Sequence, residues 1–146
     1  MSGSADELAR RAAEAMWSGD HATQGLGMEL VSVAEGFAEI TMPVRQDMVN
    51  GHGICHGGFI FTLADSAFAF ACNSRNQMTV AAGARIDFIK SAKEGDVLTA
   101  SARVVHQGKR TGVYDAQVVN QAQEVIAEFR GNSTTIGGQL VDESAS

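Results

Sequence analysis

The chain has 146 residues, enough for one domain with a substantial core. Its formal net charge of −6 argues against non-specific binding to nucleic acid, and no apolar run is long enough to cross a membrane. The amino terminus carries acids and arginines without the apolar core of a signal peptide, and two cysteines are too few for a disulfide framework. We therefore predict a single reduced, cytoplasmic domain spanning residues 1–146.

Hydrophobic spacing and turn residues predict the elements of the first half. An amphipathic helix is expected within residues 1–20, followed by a connector over residues 19–27. Two strand-like stretches around the turn Glu35-Gly36 are typical of a β-hairpin. A loop rich in Gly, Asn and His then leads to a very apolar helix. The predicted bounds are Ser4–Trp17 for the first helix, Met28–Val33 and Phe37–Val44 for the strands, Gln46–Gly58 for the loop and Gly58–Arg75 for the second helix.

The second half has the pattern of a sheet. Turn signals such as Lys93-Glu94-Gly95-Asp96 separate four long strand candidates, and consecutive strands joined by short turns are expected to pair antiparallel. The four candidates are Thr79–Ile89, Val97–His106, Gly112–Asn120 and Val125–Ile136. Residues 139–146, most clearly Asp142–Ser146, are predicted to form a loose tail.

These elements predict an α+β fold in which one long antiparallel β-sheet wraps around one central apolar helix. That helix is apolar on nearly every side, so its own sheet does not cover all of it. A second subunit is the natural cover, and we expect a homo-oligomer with an isologous interface.

One carboxylate stands out in the central helix. The run Phe59–Cys72 is almost wholly apolar, yet Asp65 lies in its middle, too far from the helix start to cap it. A buried carboxylate without partners is destabilising and shifts its pKa, so Asp65 is the first candidate for chemistry. The alternative is a purely structural role, with Asp65 bonded to backbone donors or to an arginine.

The start of the same helix suggests a second functional group. His56-Gly57-Gly58 places flexible backbone and unpaired N–H groups at the helix amino terminus, where the helix dipole favours negative charge. This is a suitable place for an oxyanion or a polarised carbonyl oxygen. A base and an oxyanion site on one short segment suggest acyl chemistry.

Other reactive side chains nearby have simpler explanations. His56 could act as a general base, but a structural role in fixing the loop is favoured, and the same holds for His52. Cys55 as a nucleophile needs an oriented base, and nothing marks His56 for that task. His52, Cys55 and His56 lack a fourth ligand at suitable spacing, so no metal site is predicted.

Several motifs together are similar to those of one enzyme family. They are Asn50-Gly51-His52, Cys55-His56-Gly57-Gly58, Leu63-Ala64-Asp65-Ser66-Ala67-Phe68-Ala69, Asp87-Phe88, Gly95-Asp96, His106-Gln107-Gly108-Lys109 and Thr111-Gly112-Val113-Tyr114-Asp115. This set resembles the hotdog-fold acyl-CoA thioesterases, in particular those of phenylacetic acid degradation. The likeness runs from about residue 15 to residue 138. One departure is Ile89-Lys90-Ser91, where family members often carry Arg-Pro.

The resemblance implies a hotdog fold and specific roles. Asp65 would act as nucleophile or as general base on water, and the backbone N–H of Gly57 would polarise the thioester carbonyl. Asn50 would help to place the water or the acyl group, while His56 and Gly58 support the site. Because a thiolate is a good leaving group, hydrolysis needs no metal or cofactor, and coenzyme A enters only as part of the substrate.

The spacing of these groups has a consequence for assembly. Gly57 and Asp65 are eight positions apart, or roughly 12 Å along a helix, whereas both must lie close to one carbonyl carbon. Two helices meeting across a two-fold axis could bring Gly57 of one subunit to Asp65 of the other. We therefore expect an obligate dimer, and the family implies that dimers pair into tetramers.

The phosphates of CoA call for cations near the mouth of the site, and we predict that Lys90, Lys109 and Arg110 form this cluster. The predicted activity is hydrolysis of aryl or phenylacetyl-type CoA thioesters, with ring-hydroxylated phenylacetyl groups suggested by the resemblance. One alternative is a hotdog enoyl-CoA hydratase or dehydratase, which typically uses a His with an acidic partner at other positions. The other alternative is a non-catalytic acyl-CoA binding module, although an acidic chain of this length has no room for an attached DNA-binding domain.

Overall fold

The computed structural model describes residues 2–144 and contains a six-stranded antiparallel sheet around a central helix. The helices are α1 (Ser2–Gly19), α2 (His21–Gly25) and α3 (Gly57–Cys72), with a short 3-10 turn at Gln46–Met48. The strands are β1 (Glu29–Ala34), β2 (Phe37–Pro43), β3 (Thr79–Phe88), β4 (Val97–Gln107), β5 (Thr111–Val119) and β6 (Val125–Thr135). Within residues 2–144, no helix combines the length and the hydropathy needed to cross a membrane.

The predicted helices and strands are confirmed with ends shifted by a few residues, but the connector after α1 contains a helix that the sequence analysis missed. Asp20 caps this short helix, since its Oδ1 accepts a hydrogen bond from the Thr23 N–H at 3.1 Å. The Thr23 hydroxyl donates to Asp20 Oδ2 at 2.7 Å and lies 3.0 Å from the Ser66 hydroxyl of α3. The cap therefore also ties α2 to the central helix.

The strand order is β1-β2-β4-β5-β6-β3, so one expected pairing is wrong. β3 pairs with β6 rather than with β4, the next strand along the chain. The linking segment crosses the end of the sheet instead of turning back: the Ile89 N–H donates to the Ile126 carbonyl of β6, and the Asp96 carbonyl accepts from the Val44 N–H beyond β2. This crossover places β3 at one edge of the sheet.

The inner face of the sheet packs on α3, which forms the centre of the core. The Phe68 ring makes aromatic contacts with Tyr114 of β5 and Phe129 of β6, at centroid distances of 5.8 and 5.7 Å. Gly131 lies directly beneath this ring, because a Cβ built there would lie 2.8 Å from its nearest atoms. Phe68 and Phe70 are both buried and belong to the core rather than to an open pocket wall.

One face of α3 is left less covered than the others. The residues along it follow helical spacing and carry small or polar side chains: Gly58, Thr62, Asp65 and Ala69. None of these four is buried, whereas most of the remaining helix is. Asp65 therefore lies on the less covered side of the helix.

The two edges of the sheet differ. α1 packs against β1, and the Glu35 N–H that follows this strand donates to Asp6 Oδ1 at 3.1 Å. At the other edge, β6 is the one strand within residues 2–144 that pairs with β3, and eight of the ten β3 residues are exposed. An edge strand of this length presents a row of unpaired backbone groups that can pair with another strand.

The segment predicted as a loose tail makes specific hydrogen bonds in the structure. Asn76 is fully buried, adopts a left-handed backbone with φ of 65°, and its Oδ1 accepts from the N–H groups of Leu140 and Val141 at 2.9 Å. Its Nδ2 donates to the Val141 carbonyl, and Arg11 of α1 donates to the Asp142 carbonyl. Residues 140–142 are thus bonded to the body of the domain. Met1, Ala145 and Ser146, which belong to the predicted helix and tail, lie outside the described residues.

Candidate active site

The amino terminus of α3 is fixed by backbone hydrogen bonds from two directions. The Cys55 N–H donates to the Ala92 carbonyl and the His56 N–H donates to the Met48 carbonyl, both at 2.8 Å. His56 is the residue before the helix, its side chain is exposed, and it makes no capping hydrogen bond. The position of the first helical residues is therefore set by backbone hydrogen bonds and not by the His56 side chain.

Two backbone donors at this helix start have no acceptor. The N–H groups of Gly57 and Gly58 donate to nothing within residues 2–144, while the Phe59 N–H donates to the His56 carbonyl. The helix dipole adds a partial positive charge at the same place. The first turn of α3 can therefore stabilise a carbonyl oxygen on which negative charge develops.

Asp65 is partly buried two turns further along α3. Among the residues that the structure describes, neither a backbone donor nor an arginine forms a hydrogen bond with its carboxylate. Burial raises the pKa of this carboxyl above its usual value. A carboxylate with a raised pKa and free oxygens is suited to accept a proton from water or to attack an acyl carbon.

Asn50 holds the loop that precedes α3. Its Oδ1 accepts hydrogen bonds from the N–H groups of His52 and Ile54, at 2.9 and 3.1 Å. Its own N–H donates to the Ile54 carbonyl at 2.8 Å. The carbonyl oxygen of the Asn50 side chain is therefore used to shape the loop, and its Nδ2 donates to no acceptor in the described part of the chain.

A cavity of about 350 Å³ opens beside the first turn of α3. Its lining is mostly apolar and includes Ile54, Gly57, Ile60, Phe88 and Ile89. The Phe88 ring lies so close to Gly57 that a Cβ at that position would be 2.7 Å from Cζ. The sequence analysis missed this contact, because only the motif Asp87-Phe88 marked the residue and no spacing relates it to Gly57.

Comparison with known proteins shows the family to which this chain belongs. Residues 52–127, just over half of the chain, match the thioesterase superfamily, and this stretch includes the start of α3, Asp65 and the strand β3. The chain belongs to the thioesterase superfamily. The resemblance to acyl-CoA thioesterases is thereby confirmed.

Individual relatives extend the match beyond the superfamily segment. The thioesterase is 51% identical to the acyl-coenzyme A thioesterase PaaI of Escherichia coli, over 90% of this chain and 94% of that one. The structure of the E. coli PaaI protein from the phenylacetic acid degradation operon superimposes with a TM-score of 0.91, covering 92% of this chain and 97% of that chain. Human acyl-coenzyme A thioesterase 13 is 33% identical over 69% of this chain and 74% of its own length.

A ligand-bound structure gives a further comparison. A hypothetical thioesterase from Streptococcus pneumoniae, solved with coenzyme A, is 28% identical and superimposes with a TM-score of 0.74 over 77% of this chain and 88% of that chain. With the PaaI relative, these findings make the protein an acyl-CoA thioesterase, a thioester hydrolase with a hotdog fold.

The thioesterase does not gather its three predicted CoA-binding cations within one chain. Lys90 follows β3 and forms an ion pair with Glu124. Lys109 and Arg110 lie in the β4–β5 turn, where the Arg110 carbonyl accepts from the Thr135 N–H. Thr135 pairs with Thr79 at the start of β3, so the two groups of cations sit at opposite ends of that strand.

The cysteines of the thioesterase are buried. Burial raises the pKa of the Cys55 thiol, and the nearby Asp96 carboxylate raises it further. Burial also raises the pKa of Cys72 to about 12. Since the thiolate is the nucleophilic form, these positions disfavour cysteine catalysis. Within residues 2–144, no three His, Cys, Asp or Glu side chains converge as a metal-binding group.

Proposed function

We propose that this thioesterase hydrolyses aryl acyl-CoA thioesters in the cytoplasm, with ring-hydroxylated phenylacetyl-CoA as its substrate class, and releases the free acid and CoA during phenylacetate catabolism. The observation that carries the proposal is the unpartnered, partly buried Asp65 carboxylate on the uncovered face of a helix that begins with two free N–H groups. The identity to E. coli PaaI, whose structure is described as coming from the phenylacetic acid degradation operon, supports the choice of acyl group.

The proposed reaction uses Asp65 and the Gly57 N–H, and it needs no metal or cofactor. The thioester carbonyl oxygen accepts the Gly57 N–H, which stabilises the negative charge that develops there. Asp65 takes a proton from water as the water oxygen bonds to the carbonyl carbon. The C–S bond then breaks, and CoA leaves as the thiol with the proton that Asp65 gave up. Direct attack by Asp65, followed by hydrolysis of the acyl-Asp65 anhydride, gives the same products.

Both groups cannot act on one thioester from the same helix, and this supports a composite site. Gly57 is the first residue of α3 and Asp65 is the ninth, which separates them by roughly 12 Å along the axis. A two-fold axis beside the uncovered face of α3 would bring Gly57 of one subunit near Asp65 of the partner subunit. The proposed active unit is therefore a dimer with two identical sites.

The open β3 edge supplies a means of forming this dimer. If two β3 strands pair antiparallel about the axis, the Phe88 end of one strand lies beside the Thr79 end of the other. Lys109 and Arg110 of one subunit would then approach Lys90 of the partner subunit. In this way the dimer would assemble the predicted CoA-phosphate cluster, and two dimers would form the proposed tetramer.

Thiol release from a panel of acyl-CoA thioesters tests the substrate class. The panel contains hydroxyphenylacetyl, phenylacetyl, benzoyl, and short and medium straight-chain thioesters, and kcat/KM is measured for each. We expect the hydroxyphenylacetyl thioester to exceed the straight-chain thioesters by at least about tenfold, or 1.4 kcal/mol of transition-state binding. Equal or faster turnover of straight chains would contradict the proposed acyl group.

Mixing two inactive variants tests the composite site. Asp65→Asn removes the base, and Gly57→Pro removes the N–H. The backbone of a first helical residue admits proline, and although the proline ring also meets the Phe88 side chain, an inactive variant is all that the experiment needs. If the site is shared between subunits, co-folding equal amounts restores about a quarter of wild-type activity, because half the dimers are mixed and each mixed dimer has one intact site. Circular dichroism and sizing of each variant control for folding. If mixed dimers form but activity is not restored, Gly57 and Asp65 of the same chain act together and the composite site is wrong.

A further inference from the structure

We propose that Phe88 is a positioning residue of the thioesterase: its ring seats Gly57 and thereby fixes the direction of the Gly57 N–H that receives the thioester oxygen. The inference rests on the oxyanion role proposed for Gly57. It adds a residue, at the end of β3, that sets the direction of the Gly57 N–H.

The first support is the fit between the ring and the glycine. A Cβ on Gly57 would lie 2.7 Å from Cζ of Phe88 and 3.2 Å from both Cε atoms. It would therefore meet the outer edge of the ring. Gly57 does not adopt a positive φ, and its backbone is that of an ordinary helical residue. The glycine at this position therefore accommodates the close approach of the Phe88 ring and is not needed for backbone conformation.

The second support is the way in which Phe88 is held. A phenylalanine that is 52% exposed is not fixed by burial in the core. Its backbone is the last pair of β3 with β6, opposite Ala127, and the next residue donates its N–H to the Ile126 carbonyl at 2.8 Å. Four residues after Phe88, the Ala92 carbonyl accepts the Cys55 N–H that precedes the helix. The backbone that carries the ring is thus fixed to β6 and, through Ala92, to the segment that precedes the helix.

The third support is the place of the ring relative to the cavity. Phe88 and Gly57 both line the cavity beside the first turn of α3, together with the apolar side chains of Ile54 and Ile60. The ring therefore forms part of the cavity wall beside Gly57. A displacement of a donor by about 1 Å can reduce turnover by roughly two orders of magnitude, so a side chain that sets the position of Gly57 has a functional effect.

A double-mutant cycle tests whether the Phe88 ring and Gly57 affect kcat through their contact. Phe88→Leu removes part of the ring contact, and Gly57→Ala adds a methyl group that must displace either the ring or the start of the helix. We expect kcat to fall about tenfold for Phe88→Leu and about a hundredfold for Gly57→Ala, with KM changed less than about threefold. In Gly57→Ala/Phe88→Leu the methyl group fills the space left by the ring, so kcat should recover to within about tenfold of wild type instead of falling about a thousandfold.

Two control variants show whether kcat falls whenever a glycine or a partly exposed phenylalanine is replaced. Gly19→Ala is the matched glycine control, because nothing lies within 4 Å of a Cβ there, and Phe37→Leu is the matched control for a partly exposed phenylalanine. Both should keep wild-type kcat. Thermal unfolding of all variants checks that losses of kcat occur in folded protein.

Each outcome has a defined meaning. If kcat of the double variant is at least ten times that of Gly57→Ala, the result supports the positioning role of Phe88. Multiplicative losses, or a Phe88→Leu variant that raises KM while leaving kcat unchanged, overturn it. If the wild-type protein releases no thiol from any thioester, the proposed function has failed instead, which the wild-type arm shows independently of the cycle.

Discussion

Replacing Asp65 by asparagine should move activity and stability in opposite directions. The substitution keeps the shape of the side chain and removes its charge. As nucleophile or general base, Asp65 contributes to turnover in a way that the amide does not, and we expect kcat to fall by about 10²–10⁴-fold, or roughly 3–5 kcal/mol of barrier. KM should change little, because the carboxylate is not proposed to bind CoA.

The stability effect follows from the position of the carboxylate. Burial raises the pKa of Asp65 in the folded state, and no donor among the described residues compensates for it. The folded state therefore binds this proton more tightly than the unfolded state, so the favourable contribution exists at low pH and is lost as the pH rises through the raised pKa. At neutral pH the Asp65→Asn variant should be the more stable protein.

The size of this gain is limited by solvent. Because Asp65 is only partly buried, screening keeps the gain to at most about 1 kcal/mol, which for a chain of this length corresponds to roughly 2–4 °C in Tm. Differential scanning calorimetry at neutral pH and near pH 3.5 measures it, and the difference between the two proteins should shrink in acid. The assay for kcat is thiol release from the best thioester of the panel.

Asp115→Asn is the matched control for a carboxylate. Asp115 lies on the outer face of the sheet, and its oxygens accept hydrogen bonds from Arg130 at 2.6 and 2.9 Å, which lowers the pKa of the carboxyl. This variant should keep kcat and lose a little stability at neutral pH, the opposite sign to Asp65→Asn. Near-normal kcat in Asp65→Asn, or a clear loss of its stability at neutral pH, would refute the assigned role.

Three further outcomes are expected. The kcat/KM of the wild type should fall on acidification at a pH above the usual Asp range of about 4, since the raised pKa of Asp65 makes it protonate earlier; a pH–rate profile measures this. Gly131→Ala should lower the free energy of unfolding by about 1–3 kcal/mol, because its Cβ meets the Phe68 ring at 2.8 Å; urea unfolding measures the loss. Asn76→Ala should lose about 2–3 kcal/mol and expose residues 140–142 to proteolysis, because it removes the hydrogen bonds to that segment and strains a left-handed backbone.

Each of these expectations can fail in a specific way. A kcat/KM that stays flat down to about pH 4 would remove Asp65 from the rate-determining proton transfer. Gly19→Ala should leave stability nearly unchanged, so an equal loss in both glycine variants would point to a general effect of alanine and not to Phe68. Asn76→Gly, which tolerates the left-handed backbone, should recover part of the stability but not the protection from protease.

The elements that local patterns encode were predicted well. Turn residues and alternation gave the six strands, and the apolar run with one carboxylate gave α3 and Asp65, because these signals lie within a few residues of one another. The short helix α2 escaped prediction since Asp20 caps only five residues, too few for a periodic pattern. The hydrogen bonds that Asn76 Oδ1 accepts from the N–H groups of Leu140 and Val141 join positions 64 and 65 residues apart, so no local sequence pattern predicts them.

The features of the site that the sequence did not predict have the same physical origin. That Lys90 and Arg110 lie at opposite ends of β3 depends on β3 pairing with β6, which follows from a crossover of the segment after Phe88. The contact of Phe88 with Gly57 depends on that same crossover. Sequence spacing relates neighbours along the chain, whereas these relations are set by which strands lie side by side.

The unequal edges of the sheet determine how far assembly by strand pairing can proceed. β3 is open, but β1, at the far edge, lies against α1. In the proposed dimer, two copies that join through β3 would use each other's free edge, and the enlarged sheet would end in a helix-flanked strand on both sides. Growth by edge addition would stop at two chains and could not continue into a filament. In the proposed dimer the amino-terminal helix would flank both ends of the joined sheet, and we expect variants that detach it from β1 to form fibres or to precipitate.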